Sequence, residues 1–205
     1  MSSRNIAYEE DFLHERESLD HYFQEQYFQK EETEVSVSPF SDCCLTIEHY
    51  YHEEGIRRYM YTKGIINCFG EQKVEVKRNL SPFIHRWIKI DDKEYLLCGQ
   101  DYQGYSIVDL QNGEIKHYVP EGANSGIGFC WAEIHAHEGT NVIAVEGCVW
   151  ACEYEIVFYD ISEPMILPYK ELKRISPYGD VKGWINNCEF AYYGEGEPSL
   201  KVFQF

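Results

Sequence analysis

The chain has 205 residues, with 35 acidic and 18 basic side chains and a net charge of −17. Hydrophobic residues make up 44%, enough for a sizeable core, which excludes global disorder. A strongly acidic chain without a basic stripe is a poor direct binder of nucleic acid or anionic membrane, and no run approaches the roughly 20 apolar residues of a membrane span.

Aromatic residues reach 16%, with 17 Tyr and 11 Phe. Such side chains suit pleated, half-buried surfaces, so the composition leans towards β-structure. The charge is uneven. Residues 91–160 carry thirteen acids against only Lys93 and Lys116, a net −11. The eight cysteines are Cys43, Cys44, Cys68, Cys98, Cys130, Cys148, Cys152 and Cys188. The N-terminal MSSRNIAYEEDF has no apolar signal-peptide core, and Cys98 sits inside an apolar run. The expectation is a cytoplasmic protein with its cysteines reduced.

Residues 1–33 are an acidic extension with scattered aromatics, Tyr8, Phe12, Tyr22, Phe23, Tyr27 and Phe28. Their spacing fits a helical face imperfectly and leaves a short helix or an extended arm open. Strand signals dominate afterwards. In residues 34–82 they cover Val35–Val37, Cys44–Tyr51, Arg57–Tyr61, Ile65–Phe69 and Lys73–Lys77. In residues 83–121 they cover Trp87–Ile90, Tyr95–Cys98, Tyr105–Leu110 and Ile115–Val119. Asp91-Asp92-Lys93 reads as a turn, and Gln111-Asn112-Gly113 as a hairpin, since Asn-Gly tolerates positive φ. Residues 122–176 hold Phe129–His137, Asn141–Glu146, Glu155–Tyr159 and Leu172–Ile175. Residues 177–205 hold Trp184-Ile185, Glu189–Tyr193 and Leu200–Phe205.

One pattern occurs twice. Residues 94–110 and 142–160 each run from an apolar strand to a Gly (Gly99, Gly147), through a polar and aromatic turn, to Tyr-x-Ile-Val and an Asp. Tyr105-Ser-Ile-Val and Tyr154-Glu-Ile-Val are 49 residues apart. A period in this range marks stacked β-sheet units. The strand rhythm of residues 35–205 resembles β-propeller blades of the WD40 or kelch type. The Gly-His and Trp-Asp dipeptides of WD40 blades and the double glycines of kelch blades are absent. The runs Gly128-Phe-Cys-Trp-Ala and Glu146-Gly-Cys-Val-Trp-Ala-Cys are similar to those of uncharacterised bacterial propeller-like proteins. The expected fold is all-β: antiparallel meanders, either a propeller or a partial propeller, with a two-sheet β-sandwich as the alternative.

Three constellations bear on function. Glu133, His135 and His137 alternate along a strand and so share one face. Two imidazoles and a carboxylate can begin a Zn or Fe site. The His-x-His is similar to that of cupins, but no His follows His137. The opposite face, Cys130, Ala132, Ile134 and Ala136, reads as a core stripe. Cys148 and Cys152 are separated by three intervening residues rather than the two usual for zinc knuckles or redox motifs. The turn at 99–105 and its counterpart at 147–154 combine aromatic and polar residues. With the neighbouring acids they define a partner-binding patch of Asp91, Asp92, Asp101, Tyr102, Tyr105, Asp109, Trp131 and Trp150. The competing role for these aromatics is to seal gaps between sheets.

No Gly-x-Ser-x-Gly elbow and no phosphate-cradling glycine loop is present, and no cofactor is expected. The leading expectation is a non-enzymatic protein-binding module that engages a basic partner. A specific version is an inhibitor or immunity-type protein masking a basic site. A metal-dependent enzyme built on Glu133, His135 and His137 is the alternative.

Overall fold

The computed structural model describes residues 4–68, 71–80, 82–101, 103–150 and 152–205. Among these residues fifteen strands form four antiparallel sheets, preceded by one short α-helix, α1 (Glu10–Ser18). The first sheet holds β1 (Glu34–Val37), β2 (Cys44–Glu54), β3 (Arg57–Cys68) and β4 (Glu71–Asn79). The second holds β5 (His85–Ile90), β6 (Lys93–Asp101), β7 (Gly104–Asp109) and β8 (Ile115–Tyr118). The third holds β9 (Phe129–His135), β10 (Val142–Val149), β11 (Glu155–Asp160) and β12 (Lys170–Ile175). The fourth has three strands, β13 (Val181–Asn186), β14 (Glu189–Tyr193) and β15 (Leu200–Gln204). Every strand pairs only with its sequence neighbours, so each sheet is a simple meander. The all-β expectation therefore holds, and four sheets replace the two of a sandwich. No helix among the described residues is long and apolar enough to cross a membrane.

Three apolar interfaces join the four sheets in chain order. Leu45, Ile47, Ile66 and Val76 of the first sheet meet Trp87, Leu96 and Val108 of the second. Ile88, Leu97 and Ile107 of the second meet Ile134, Ile143, Val145 and Val157 of the third. Ala144, Ile156 and Phe158 of the third meet Phe190, Trp184 and Phe203 of the fourth. Among the described residues no such cluster joins the fourth sheet to the first.

The sequence repeat expresses this stacking rule. Successive side chains of a strand point to opposite faces. In β7, Ile107 faces the third sheet and Val108 faces the first. Forty-nine residues on, in β11, Ile156 faces the fourth sheet and Val157 faces the second. Each Ile thus packs forward and each Val packs backward, and all four are fully buried.

Two departures from the sequence reading have local causes. The expected break between Arg57–Tyr61 and Ile65–Phe69 is absent, because β3 runs unbroken to Cys68. Gly64 does not interrupt the strand. It makes room for Phe83, whose ring lies 2.4 Å from where a Cβ would stand, a close approach that glycine permits inside a strand. The expectation of reduced cysteines also fails at one pair, because Cys43 and Cys68 are joined by a disulfide. Cys44 pairs with Asn67 across β2 and β3, so the next pair outward is Cys43 and Cys68, with Cα atoms 4.2 Å apart. That proximity depends on strand register and is not visible in a spacing of 25 residues.

The N-terminal extension is tied to two sheets. Asn5 accepts hydrogen bonds from Ala7 and Val119 and donates to the His117 carbonyl, which holds the arm along β8. Further on, Tyr22 stacks on Tyr61 at 4.3 Å and Phe23 meets Tyr50 edge-on at 5.2 Å, covering part of the outer face of β2 and β3.

Phe158 is fully buried and packs edge-on against Phe190 at 5.2 Å, with Phe203 and Phe205 also in contact. Phe158→Ala should cost about 3–5 kcal/mol, measured by denaturant unfolding, and should expose the fourth sheet first in hydrogen exchange. Burial pushes the Cys98 thiol up to about 12, whereas Cys152 and Cys188 are exposed. Under a native alkylation pulse, mass spectrometry should find Cys152 and Cys188 modified and Cys98 modified only after unfolding.

Candidate functional site

A groove of about 780 Å³ lies between the second and third sheets. Its wall is a column of rings. Tyr105 of β7 stacks on Trp131 of β9 at 4.3 Å and on Tyr169 at 5.1 Å, and Trp131 stacks on Tyr159 of β11 at 5.5 Å. Offset stacking of this kind adds to the area the rings bury. The column is fixed by hydrogen bonds. The Tyr105 hydroxyl accepts from the Tyr169 backbone N–H at 2.8 Å, and the Tyr169 hydroxyl donates to the Pro164 carbonyl at 2.9 Å. Burial raises the pKa of Tyr105, Tyr159 and Tyr169 above the ordinary tyrosine range, so all three rings stay neutral.

One rim of the groove carries Arg174, which is ion-paired with both Glu155 and Glu171 and sits over the Phe129 ring. These carboxylates raise the Arg174 pKa further, the Glu171 hydrogen bond most. At the other side Ile127, a lining residue, is 68% exposed. Trp150, next to the lining Val149, is 60% exposed. Gly128 closes that end by donating its N–H to the Gln103 side chain at 2.8 Å.

A β-bulge sets which rings enter the groove. On β10, Glu146 pairs with Glu133, but Gly147 pairs with Trp131, so Ala132 is an extra residue on β9. The bulge moves Trp131 onto the face of Ile134 and into the inter-sheet core. The expected stripe of Cys130, Ala132, Ile134 and Ala136 assumed unbroken alternation and is corrected here. Gly147 allows the bulge, because a Cβ there would lie 2.0 Å from the Cys130 carbonyl oxygen.

The expected binding residues separate into three groups. Tyr105, Trp131 and Asp109 are buried. The two rings seal the second and third sheets, and Asp109 accepts the Gln111 N–H at 2.9 Å to close the β7–β8 turn. Asp91 and Asp92 lie exposed in the β5–β6 turn, and Trp150 is exposed beyond β10. Tyr102 and the side chain of Asp101 lie outside the described residues. Sequence reading did not single out Tyr118, Tyr159 and Tyr169. Tyr169 lies between the Pro164–Pro168 loop and β12, where no periodic signal marks it.

The expected metal ligands also regroup. His135 and Glu133 come together with Glu146, not with His137. His137 lies past the end of β9 beside Trp184. It lines a smaller cleft of about 360 Å³ with His85, Arg86 and Lys89 of β5. Nε2 of His135 is 2.6 Å from one Glu146 oxygen, and the Tyr178 hydroxyl donates to the other at 2.5 Å. The His135 hydrogen bond holds the Glu146 carboxyl below its usual range, against the opposing effect of burial, and Tyr178 adds to the lowering.

No protein-family model matches the chain. A distant homologue, described as uncharacterized protein R762 of Acanthamoeba polyphaga mimivirus, is 31% identical over 173 residues. The alignment covers 78% of this chain and 66% of that protein, just under two thirds of the relative's length.

Gly147→Ala should force the β9–β10 bulge to shift, costing about 1–3 kcal/mol. Near-ultraviolet circular dichroism should change with it as Trp131 leaves its stack, and an unchanged spectrum and stability would show that the bulge does not depend on Gly147.

Proposed function

We propose that the protein is a non-enzymatic binding module that takes an apolar or aromatic side chain of a basic protein partner into the groove between the second and third sheets. The observation that carries this reading is the groove itself. It is large and pre-formed, its rings are fixed by stacking and hydrogen bonds, and two large apolar side chains stand exposed beside it. Rigid aromatic surfaces bury much area at low entropic cost and dominate binding energy at interfaces. A mostly apolar concavity with a few fixed polar groups is also the usual form of a binding site.

The charge of the chain selects the partner. At −17 overall, it attracts a basic surface and repels an acidic one, which accelerates encounter and makes association salt-dependent. Asp91, Asp92, Glu114 and Glu121 are exposed on the second sheet and its flanks and supply part of that field. An inhibitor or immunity-type protein that masks a basic site is a specific form of the same reading. The common forward and backward packing of β7 and β11 supports a propeller-type architecture, in which loops and inter-sheet grooves commonly carry binding.

The test is affinity capture from lysate of the source organism, followed by purification of the captured protein and a direct titration. The expected partner is basic and is released by high salt. Its affinity should fall at least about tenfold with Ile127→Ser/Trp150→Ser, residues whose exposure leaves folding intact. The quadruple change Asp91→Asn, Asp92→Asn, Glu114→Gln, Glu121→Gln should flatten the salt dependence. A purified partner whose affinity is indifferent to both sets would overturn the proposal.

A further inference from the structure

We infer that Glu133, His135 and Glu146 form a binding site for one divalent transition-metal ion of the zinc class, with Tyr178 orienting Glu146 from behind. The inference stands apart from the groove, because these side chains lie on the opposite face of the third sheet, towards the fourth.

The repeat makes this cluster conspicuous. Moving 49 residues along the chain takes Tyr95 to Ala144 and Leu97 to Glu146. Across the strand pair, Tyr95 faces Ile88 and Ala144 faces His135. Likewise Leu97 faces Arg86 and Glu146 faces Glu133. The second sheet therefore meets the third with Leu97 and Ile88, both buried in the apolar interface. The third sheet meets the fourth with Glu146 and His135 at the same two positions. A carboxylate and an imidazole stand where the architecture otherwise places Leu and Ile. Ionisable groups in such positions are costly unless paired or ligated, and local departures from an otherwise consistent pattern concentrate at functional sites.

The geometry suits a metal. One donor atom from each of the three residues lies within 4.8 Å of the other two. Nε2 of His135 is 2.6 Å from Oε1 of Glu146 and 3.9 Å from Oε1 of Glu133. Donors around an ion with bonds of ~2.1 Å stand on the order of 3 Å apart. Side-chain rotations of a few tenths of an ångström to about 1 Å reach that spacing. One nitrogen and two carboxylates match a zinc-class ion better than magnesium or calcium, which favour all-oxygen shells.

The groups that would hold the ligands in place are already bonded to them. The Tyr178 hydroxyl holds Oε2 of Glu146 and leaves Oε1 for an ion. The Trp184 indole N–H donates to the His135 carbonyl at 3.1 Å, and the Phe190 ring packs edge-on against the imidazole at 5.7 Å. Outer partners of this kind fix ligand orientation and raise affinity. Glu133 has a 66% exposed side chain, whereas His135 and Glu146 are at 18% and 16%. The ion would enter from the Glu133 side and take the place of the contact between Nε2 of His135 and Oε1 of Glu146.

The experiment is a calorimetric titration of the untagged, chelator-treated chain with Zn²⁺, repeated with Co²⁺ to read the ligand field by its visible bands. The expected result is one equivalent bound, with affinity at least about tenfold weaker in Glu146→Gln and in Glu133→Gln. Tyr178→Phe should weaken binding several-fold, while His137→Asn leaves it unchanged. Cys148→Ser/Cys152→Ser should also leave it unchanged, which separates this site from thiol binding at the β10 turn. Glu133 is exposed, so its variant keeps the fold and keeps the test decisive. Less than about a tenth of an equivalent bound, or binding that follows the cysteines or His137 instead of Glu133 and Glu146, would overturn the proposal.

Discussion

The structure depends on burial of both faces of its inner strands. A two-faced strand needs apolar side chains at consecutive positions, and consecutive side chains point in opposite directions. Leu96-Leu97, Ile107-Val108 and Ile156-Val157 are such pairs, each fully buried. One member packs on the preceding sheet and the other on the following sheet. The meanders can therefore stack in chain order without crossovers, and each sheet is stabilised by its neighbours rather than by a core of its own. A small sheet with only one covered face would be marginal in isolation.

Within this scheme the third sheet is the exception on both sides. Towards the second sheet its bulge turns Trp131 inward and builds the ring column of the groove. Towards the fourth sheet it substitutes His135 and Glu146 for apolar residues. Both features arise on the β9–β10 pair and are only one to two residues apart. Gly147 sits at their junction, because the bulge that it permits lies between the groove-facing Trp131 and the ligand-like Glu133. Had alternation continued unbroken, Trp131 would share a face with Glu133 and His135. The aromatic groove and the ionisable cluster would then compete for one surface.

The all-β class and the positions of nearly all strands were legible, since alternation, Asn-Gly turns and the doubled Tyr-x-Ile-Val pattern are local signals. What escaped was whatever depends on register between strands. Glu146 could not be placed opposite Glu133 without knowing the pairing, so His137 took its place in the expected metal set. The same ignorance hid the Cys43–Cys68 bond. The bulge at Ala132 leaves no compositional mark, and a stripe of small residues beside it read as core. Tyr105 and Trp131 of the expected patch stack on each other, but their burial between sheets was visible only once the two sheets were known to face each other. The stretch between Arg57–Tyr61 and Ile65–Phe69 carried no strand signal, and the reason for its Gly64 is the ring of Phe83, which lies beyond the first sheet in the chain.

The N-terminal arm has a role in cooperativity. It is pinned to the edge of the second sheet through Asn5, Ile6 and Val119, and then crosses to the first sheet, where Phe28 bridges to Tyr50 and Gln29 donates to the His49 carbonyl. A stack in which each sheet touches only its neighbours behaves as a one-dimensional chain of units, able to fray from either end. A strap spanning two adjacent units couples their opening, so the first two sheets gain or lose structure as a single block. The fourth sheet has no such strap among the described residues, and the stack is accordingly asymmetric, bound at its beginning and free to loosen at its end.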